Sequence, residues 1–115
     1  MIDQIDFFIR TSINRNSPFN SREWIETDNA KLYIRYTPKR YIDNKIITTI
    51  DIATISIHPK FQGQGIFTEI LTFLETNYGL PIYIESILNI KLKEFLINRG
   101  YQEVNNTENC LILYT

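Results

Sequence analysis

Ile2, Ile5, Ile9 and Ile13 recur at spacings of three and four, with Phe8 beside them. That spacing predicts an amphipathic helix, and Asp3 and Asp6 suit its N-terminal end. Residues 14–22 are polar with Pro18 and read as a loop. A short strand around Trp24 follows over Arg22 to Thr27, then a turn at Asp28-Asn29. From Lys31 to Tyr36 the chain alternates: Leu32, Ile34 and Tyr36 face one way, Lys31, Tyr33 and Arg35 the other. Pro38 should interrupt that strand. Ile46 to Ile57 is rich in Ile and Thr, which favours a strand. Its period of two slips once at Ala53-Thr54, as a β-bulge would produce.

A second helical pattern pairs Ile66, Ile70 and Leu74 with a neighbouring stripe of Phe67, Leu71 and Tyr78. Gly79 fits just past its end, with Pro81 beyond. Pro81 to Ser86 reads as a short strand. Asn89 can cap a third helix whose apolar face is Leu88, Leu92, Phe95 and Leu96, ended by Gly100. Tyr101 to Val104 and Leu111 to Tyr114 close the chain as strands around a polar loop over 105–109. The order predicts a mixed α+β domain. Helices joining successive strands require parallel neighbours there, because a crossover is needed.

Length and charge then narrow the classes. The 115 residues suit a single domain, 1–115, and 43% apolar with 22% charged residues excludes a disordered tail. A net charge of −1 argues against a nucleic-acid partner that grips phosphates along its whole surface. Twenty-one isoleucines against a single valine read as a codon bias and not as chemistry. The single Cys110 allows no intramolecular disulfide, and with one histidine no metal site is expected. No apolar run approaches the ~18 residues of a membrane span, and Met1-Ile2-Asp3-Gln4-Ile5-Asp6 lacks the positive charge that opens a signal peptide. The expected location is the cytoplasm.

One segment stands out chemically: His58-Pro59-Lys60-Phe61-Gln62-Gly63-Gln64-Gly65-Ile66-Phe67, between a strand and a helix. Gly63 and Gly65 allow the backbone to turn its N–H groups toward one point, and the helix N-terminus behind them favours an anion. No Gly-x-x-x-x-Gly-Lys-Ser/Thr is present, and Thr68 stands where a dinucleotide fingerprint needs its third glycine. A tight strand-to-helix turn accounts equally for the loop taken alone.

The run Gln62-Gly63-Gln64-Gly65-Ile66-Phe67 resembles the acetyl-CoA-binding motif of the GNAT acyltransferase superfamily, Gln/Arg-x-x-Gly-x-Gly/Ala. Asn89, placed before Gly100-Tyr101 across a helix, matches a second feature of that superfamily. Short phage-type members are especially similar, with the tail Leu-Asn-x-x-Leu-x-x-Phe-Leu-x-x-x-Gly-Tyr fitted by residues 88–101. The resemblance covers about residues 50–104. It implies a GNAT fold, a mixed sheet with splayed fourth and fifth strands and flanking helices. Residues 46–115 would be the acetyl-CoA-binding half and residues 1–45 a divergent or shortened acceptor-side half. It implies acetyl-CoA as cofactor, with Gln62, Gly63, Gln64, Gly65, Ile66 and Phe67 holding the pyrophosphate. Ile55, Ser56 and Ile57 would offer strand edge to the pantetheine, and Asn89 would contact the cofactor arm or cap its helix. The activity implied is acetyl transfer to an amine acceptor, on a protein or a small molecule, in the host cytoplasm for a phage-encoded chain.

Two departures qualify the match. Phe67 replaces the motif's last small residue, and Leu96 stands where many members carry a Tyr acid. Ser56 also occupies a position where relatives often show Glu. Glu85 is then the favoured base, bordering the expected cleft, with a partner for Arg99 as its structural alternative; Asp51 is the other base and Tyr83 a proton donor. His58 reads as a turn residue and Cys110 as a small buried hydrophobe. Lys31, Arg35, Lys39 and Arg40 with Tyr33, Tyr36 and Tyr41 mix basic and aromatic side chains, read as a solvated strand face. The rival reading is a catalytically degenerate module on the same fold that blocks a partner protein. The apolar final strand, Leu111 to Tyr114, offers a homodimer edge.

Overall fold

The computed structural model describes residues 1–105, 107 and 109–115. The elements run α1 (Ile2–Arg15), β1 (Ser21–Glu26), β2 (Ala30–Ile42), β3 (Lys45–Ile57), a 3-10 turn (Pro59–Phe61), α2 (Ile66–Asn77), β4 (Ile82–Ile84), α3 (Ile90–Asn98), β5 (Gln102–Glu103) and β6 (Leu111–Leu113). The strands form one sheet in the order β1-β2-β3-β4-β6-β5. Among the described residues only β3 and β4 are parallel, and α2 supplies the crossover between them. No described helix is long and apolar enough to cross a membrane.

Period-two alternation assigns the two faces. Leu32, Ile34, Ile50, Ile52, Ile82, Ile84 and Leu111 point into a core with Ile5 and Ile9 of α1, Ile70, Leu71 and Leu74 of α2, and Leu96 of α3. Each such side chain stabilises the fold by roughly 1.5–3 kcal/mol through burial. The other face carries a smaller cluster of Ile42, Tyr83, Val104 and Ile112. Ile13, expected on the buried stripe of α1, is 38% exposed, because α1 buries Ile5, Phe8, Ile9 and Ser12 instead. Leu88 precedes α3 and is 81% exposed, so it does not belong to that helix's buried face.

Pro38 does not end β2. The register shifts between Thr37 and Arg40, so an irregularity accommodates the proline and the strand continues to Ile42. The expected bulge on β3 is present: Ile34 faces Ile52 and Tyr33 faces Thr54, leaving Ala53 as the extra residue. β6 lies inside the sheet between β4 and β5, so the final strand does not present the free edge a strand-paired dimer would need. Positions 106 and 108 of the expected polar loop lie outside the described residues.

Candidate functional site: a splayed strand pair headed by a glycine turn

The splay has two local causes. β3 and β4 pair only over Ile50–Ile52 and Ile82–Ile84, extended by the Glu85 N–H donating to the Ile52 carbonyl at 3.1 Å. These are the third and fourth strands in chain order, in the places expected of the fourth and fifth. Ser86 then takes a left-handed conformation, φ 57°. The chain turns away, and the Ile87 N–H donates to the Asn109 carbonyl at 2.8 Å. On the other side, the Ala53 bulge shifts the alternation of β3 by one residue. Ile50 and Ile52 turn their backbone groups to β4 before it. Past the bulge Ile55 and Ile57 do so, whereas Thr54 and Ser56 turn toward β2. The His58 N–H, donating to the Asn29 carbonyl at 2.8 Å, fits that parity.

Between the separated strands lies a cleft of about 350 Å³. Its walls are Ala53, Thr54 and Ile55 on one side and Glu85 to Asn89 on the other, with Phe67 and Leu92 below. Phe67 therefore packs inward, its ring 6.5 Å from that of Phe95, and leaves the turn in front of it clear. The Asn89 side chain caps α3, accepting the Leu92 N–H at 3.1 Å, while the residue also lines the cleft. Ser56 is exposed on the opposite sheet face, across from Lys31.

The glycine turn leads into α2, whose Phe67 lines this cleft. Gly63 and Gly65 both have φ +78°, a conformation side chains resist, and a Cβ on either would meet nothing within 4 Å. Gln62 secures the loop by donating from Nε2 to the Ile57 carbonyl at 3.2 Å. His58 Nδ1 accepts the Lys60 N–H at 3.3 Å, so the histidine shapes the turn. Among the described residues no side chain caps α2. The first intrahelical bond runs from the Glu69 N–H to the Gly65 carbonyl at 2.9 Å, so the N–H groups from Ile66 to Thr68 have no intrahelical acceptor. This is the donor set an anionic diphosphate requires, so the residues present fit the acetyl-CoA that the sequence implies.

Charged groups crowd the sheet face where the two strands begin to part. Asp51 is fully buried and accepts from Thr37 Oγ1 and Thr49 Oγ1, each at 2.6 Å, and from Arg40. Arg35 reaches across Asp51 to form an ion pair with Glu85. Arg40 lies 3.8 Å from the Tyr83 ring centre and 4.0 Å from Glu85. Burial first, then a hydrogen bond with the Cys110 thiol, pushes the Tyr83 hydroxyl up to about 12. A buried carboxylate needs such partners to stay charged. Glu85 and Tyr83 thus meet at the splay with Asp51, whose lone pairs are already engaged. Leu96 is fully buried in the core and offers no acid. Arg99 binds Glu75, not Glu85, with Nε–Oε distances of 3.0 and 2.9 Å, and Tyr101 donates to Glu75 at 2.8 Å. Sequence reading missed Arg35, Arg40, Thr37 and Thr49 as partners of Asp51. The expected basic-aromatic face is largely self-satisfied: Lys31 sits 4.7 Å over the Trp24 ring, which stacks on Tyr33 at 4.6 Å. Beyond Tyr83 a further pocket of about 510 Å³ opens beside Arg40, Asn44 and Val104.

No protein-family model matches the sequence, and no curated protein matches it. Solved structures do match its fold. A Tyr-to-Phe mutant of the AtaT toxin, bound to the C-terminus of the antitoxin AtaR and acetyl-CoA, aligns with TM-score 0.54 at 19% identity over 74% of this chain. The chain spans 57% of that toxin chain's length. AtaT complexed with acetyl-methionyl-tRNAfMet aligns with TM-score 0.57 at 17% identity, covering 98% of this chain and 82% of that one. The KacTA–DNA complex aligns with TM-score 0.55 at 14% identity over 96% and 79%. At such identities the likeness concerns architecture, and in architecture the chain is a GNAT-type α+β domain.

Proposed function

We propose that the chain binds acetyl-CoA and transfers its acetyl group to an amine. The observation that carries this reading is the glycine turn ahead of α2, a helix that no described side chain caps and whose Phe67 lines the gap between β3 and β4. Likeness in fold to a toxin solved with acetyl-CoA supports it. Bound acetyl-CoA would supply an activated acetyl thioester. The N–H groups of Gly63, Gln64, Gly65, Ile66 and Phe67 would hold its diphosphate, while the Gln62 N–H donates to the Pro59 carbonyl at 3.4 Å and closes the turn before them. Ile55 and Ile57 would hold the pantetheine amides through their edge backbone groups. Glu85 would take the proton of the acceptor amine at its carboxylate. Tyr83 would stand near the reacting end as a phenol at neutral pH. Asp51 would anchor Arg35 and Arg40. What supports a macromolecular acceptor is the structure of AtaT with acetyl-methionyl-tRNAfMet. Complexes of the fold neighbours with an antitoxin, with DNA and with a tRNA support either a protein or a nucleic acid as carrier.

A second reading, a non-catalytic module that occupies a partner protein, is favoured by one observation. Asp51 has its acceptors filled and Glu85 is ion-paired, so no carboxylate at the splay is free in this state. Release of free thiol from acetyl-CoA, followed across peptide, small-amine and aminoacyl-tRNA acceptors, separates the two. Acceptor-dependent release that falls at least ~10²-fold in Glu85→Gln supports catalysis with Glu85 as base. Tight acetyl-CoA binding with no release on any acceptor supports the module.

A further inference from the structure

The face carrying Asp51 holds one more cation than its acids neutralise. Register sets Arg22 of β1 directly across from Arg35 of β2, Arg35 across from Asp51, and Asp51 across from Tyr83. Arg22 is exposed, and among the described residues its side chain has no ion-pair or hydrogen-bond partner. Like charges opposite one another on neighbouring strands repel. Arg35 adds a second unmet demand: its Nε is buried without a hydrogen-bond acceptor, 3.5 Å from Asp51 Oδ2. Three arginines of this face, Arg22, Arg35 and Arg40, thus stand beside two carboxylates, Asp51 and Glu85, both of which pair with Arg35 and Arg40. The adjacent charges, Lys31 and Glu26, sit opposite each other and cancel.

We propose that Arg22 and Arg35 bind an oxyanion, phosphate or carboxylate, carried by the acceptor beside its amine, and that this anion replaces Glu85 on Arg35. The acceptor role rests on the acetyl-transfer reading; the anion site itself does not. Asp51 cannot be the group that exchanges, because Thr37, Thr49 and Arg40 hold it in a buried site. Glu85 can: its side chain is 26% exposed and its close partner is Arg35. A guanidinium fork engages either oxyanion through two nitrogens. Exchange frees the Glu85 carboxylate at the mouth of the cleft, so the base is released when an anion-bearing acceptor arrives. Specificity for such acceptors and activation of the base then share one contact.

The test is nitrogen NMR of the arginine Nε–H signals in the intact chain. Potassium phosphate and potassium acetate are titrated separately, at ionic strength held with potassium chloride. Saturable shifts of both Arg22 and Arg35 in the millimolar range are expected, and the tighter of the two probes names the oxyanion. Removing the resident competitor in Glu85→Gln should tighten binding about tenfold. Should that variant misfold, Arg22→Gln, at an exposed position, should abolish the Arg35 shift. Shifts confined to the amides of Gly63 to Phe67 would overturn the proposal while leaving the acetyl-CoA reading intact. So would shifts equal to those in chloride, or affinity unchanged in Glu85→Gln. Loss of acetyl-CoA binding in a separate titration would overturn the acetyl-transfer reading and leave the anion site standing.

Discussion

Gly65 combines φ +78° with open space where a side chain would stand. Steric room therefore permits Gly65→Glu, at a left-handed backbone cost of about 1–3 kcal/mol. Its carboxylate would occupy the place of an anion at the α2 N-terminus. Circular dichroism should show a folded variant, and calorimetry should show no acetyl-CoA binding at millimolar ligand. Gly65→Ala should carry a similar strain yet keep measurable binding. Equal affinity in the Glu variant would place the cofactor elsewhere. Tyr83 yields a prediction of a different kind. Its folded pKa of about 12 exceeds the ordinary value of 10, so the unfolded chain loses this proton first. The resulting stabilisation is complete below pH 10 and is lost as pH rises from 10 to 12. Tyr78 and Tyr101 are raised as well and add the same sign. Thermal melts across that range should therefore fall less steeply in Tyr83→Phe than in the parent chain. The Gly-x-Gly turn and the carboxylate at the end of β4 are both legible in the sequence, the first from its glycines between strand and helix and the second from the cleft that the family resemblance implies beside that strand. The partners of Asp51 are not, because they depend on a register that local pattern leaves open.

Among the elements, the β2–β3 hairpin shows why. Asp43 and Asn44 both have positive φ, 50° and 63°, and form its tight turn between Ile42 and Lys45. Counting back from that turn without interruption would set Arg35 against Ile52, on the core face. The irregularity at Pro38 and Lys39 shifts the count by one, so Arg35 meets Asp51 instead. The Ala53 bulge then restores the original count. The slip at Ala53-Thr54 shows in the isoleucine alternation, whereas the one at Pro38 reads from sequence as a strand end. On β4, Ser86 supplies the matching turn-away with φ 57°. Urea unfolding should find Ser86→Gly no less stable than the parent chain. Ser86→Val should lose about 1–3 kcal/mol, since a β-branched residue resists positive φ. A Val variant of full stability would mean that the splay does not depend on this strained residue.

For the whole molecule, averages hide what the folded surface concentrates. A net charge of −1 excludes a uniformly basic surface. Strand register nevertheless gathers Arg22, Arg35 and Arg40 onto one face beside the cleft. The α+β class was legible because element order and most of the apolar period agree, with Ile13, Leu88 and Pro38 as the exceptions. The acceptor was not, because the face that would meet it is built by register across strands β1 to β4. In the proposed function the glycine turn and the splayed strands together hold acetyl-CoA. Calorimetric titration of the intact chain with acetyl-CoA tests it most directly. Saturable binding with one ligand per chain and a dissociation constant below about 1 mM, a free energy near −4 kcal/mol or better, is the predicted result. A flat titration at millimolar acetyl-CoA would contradict it.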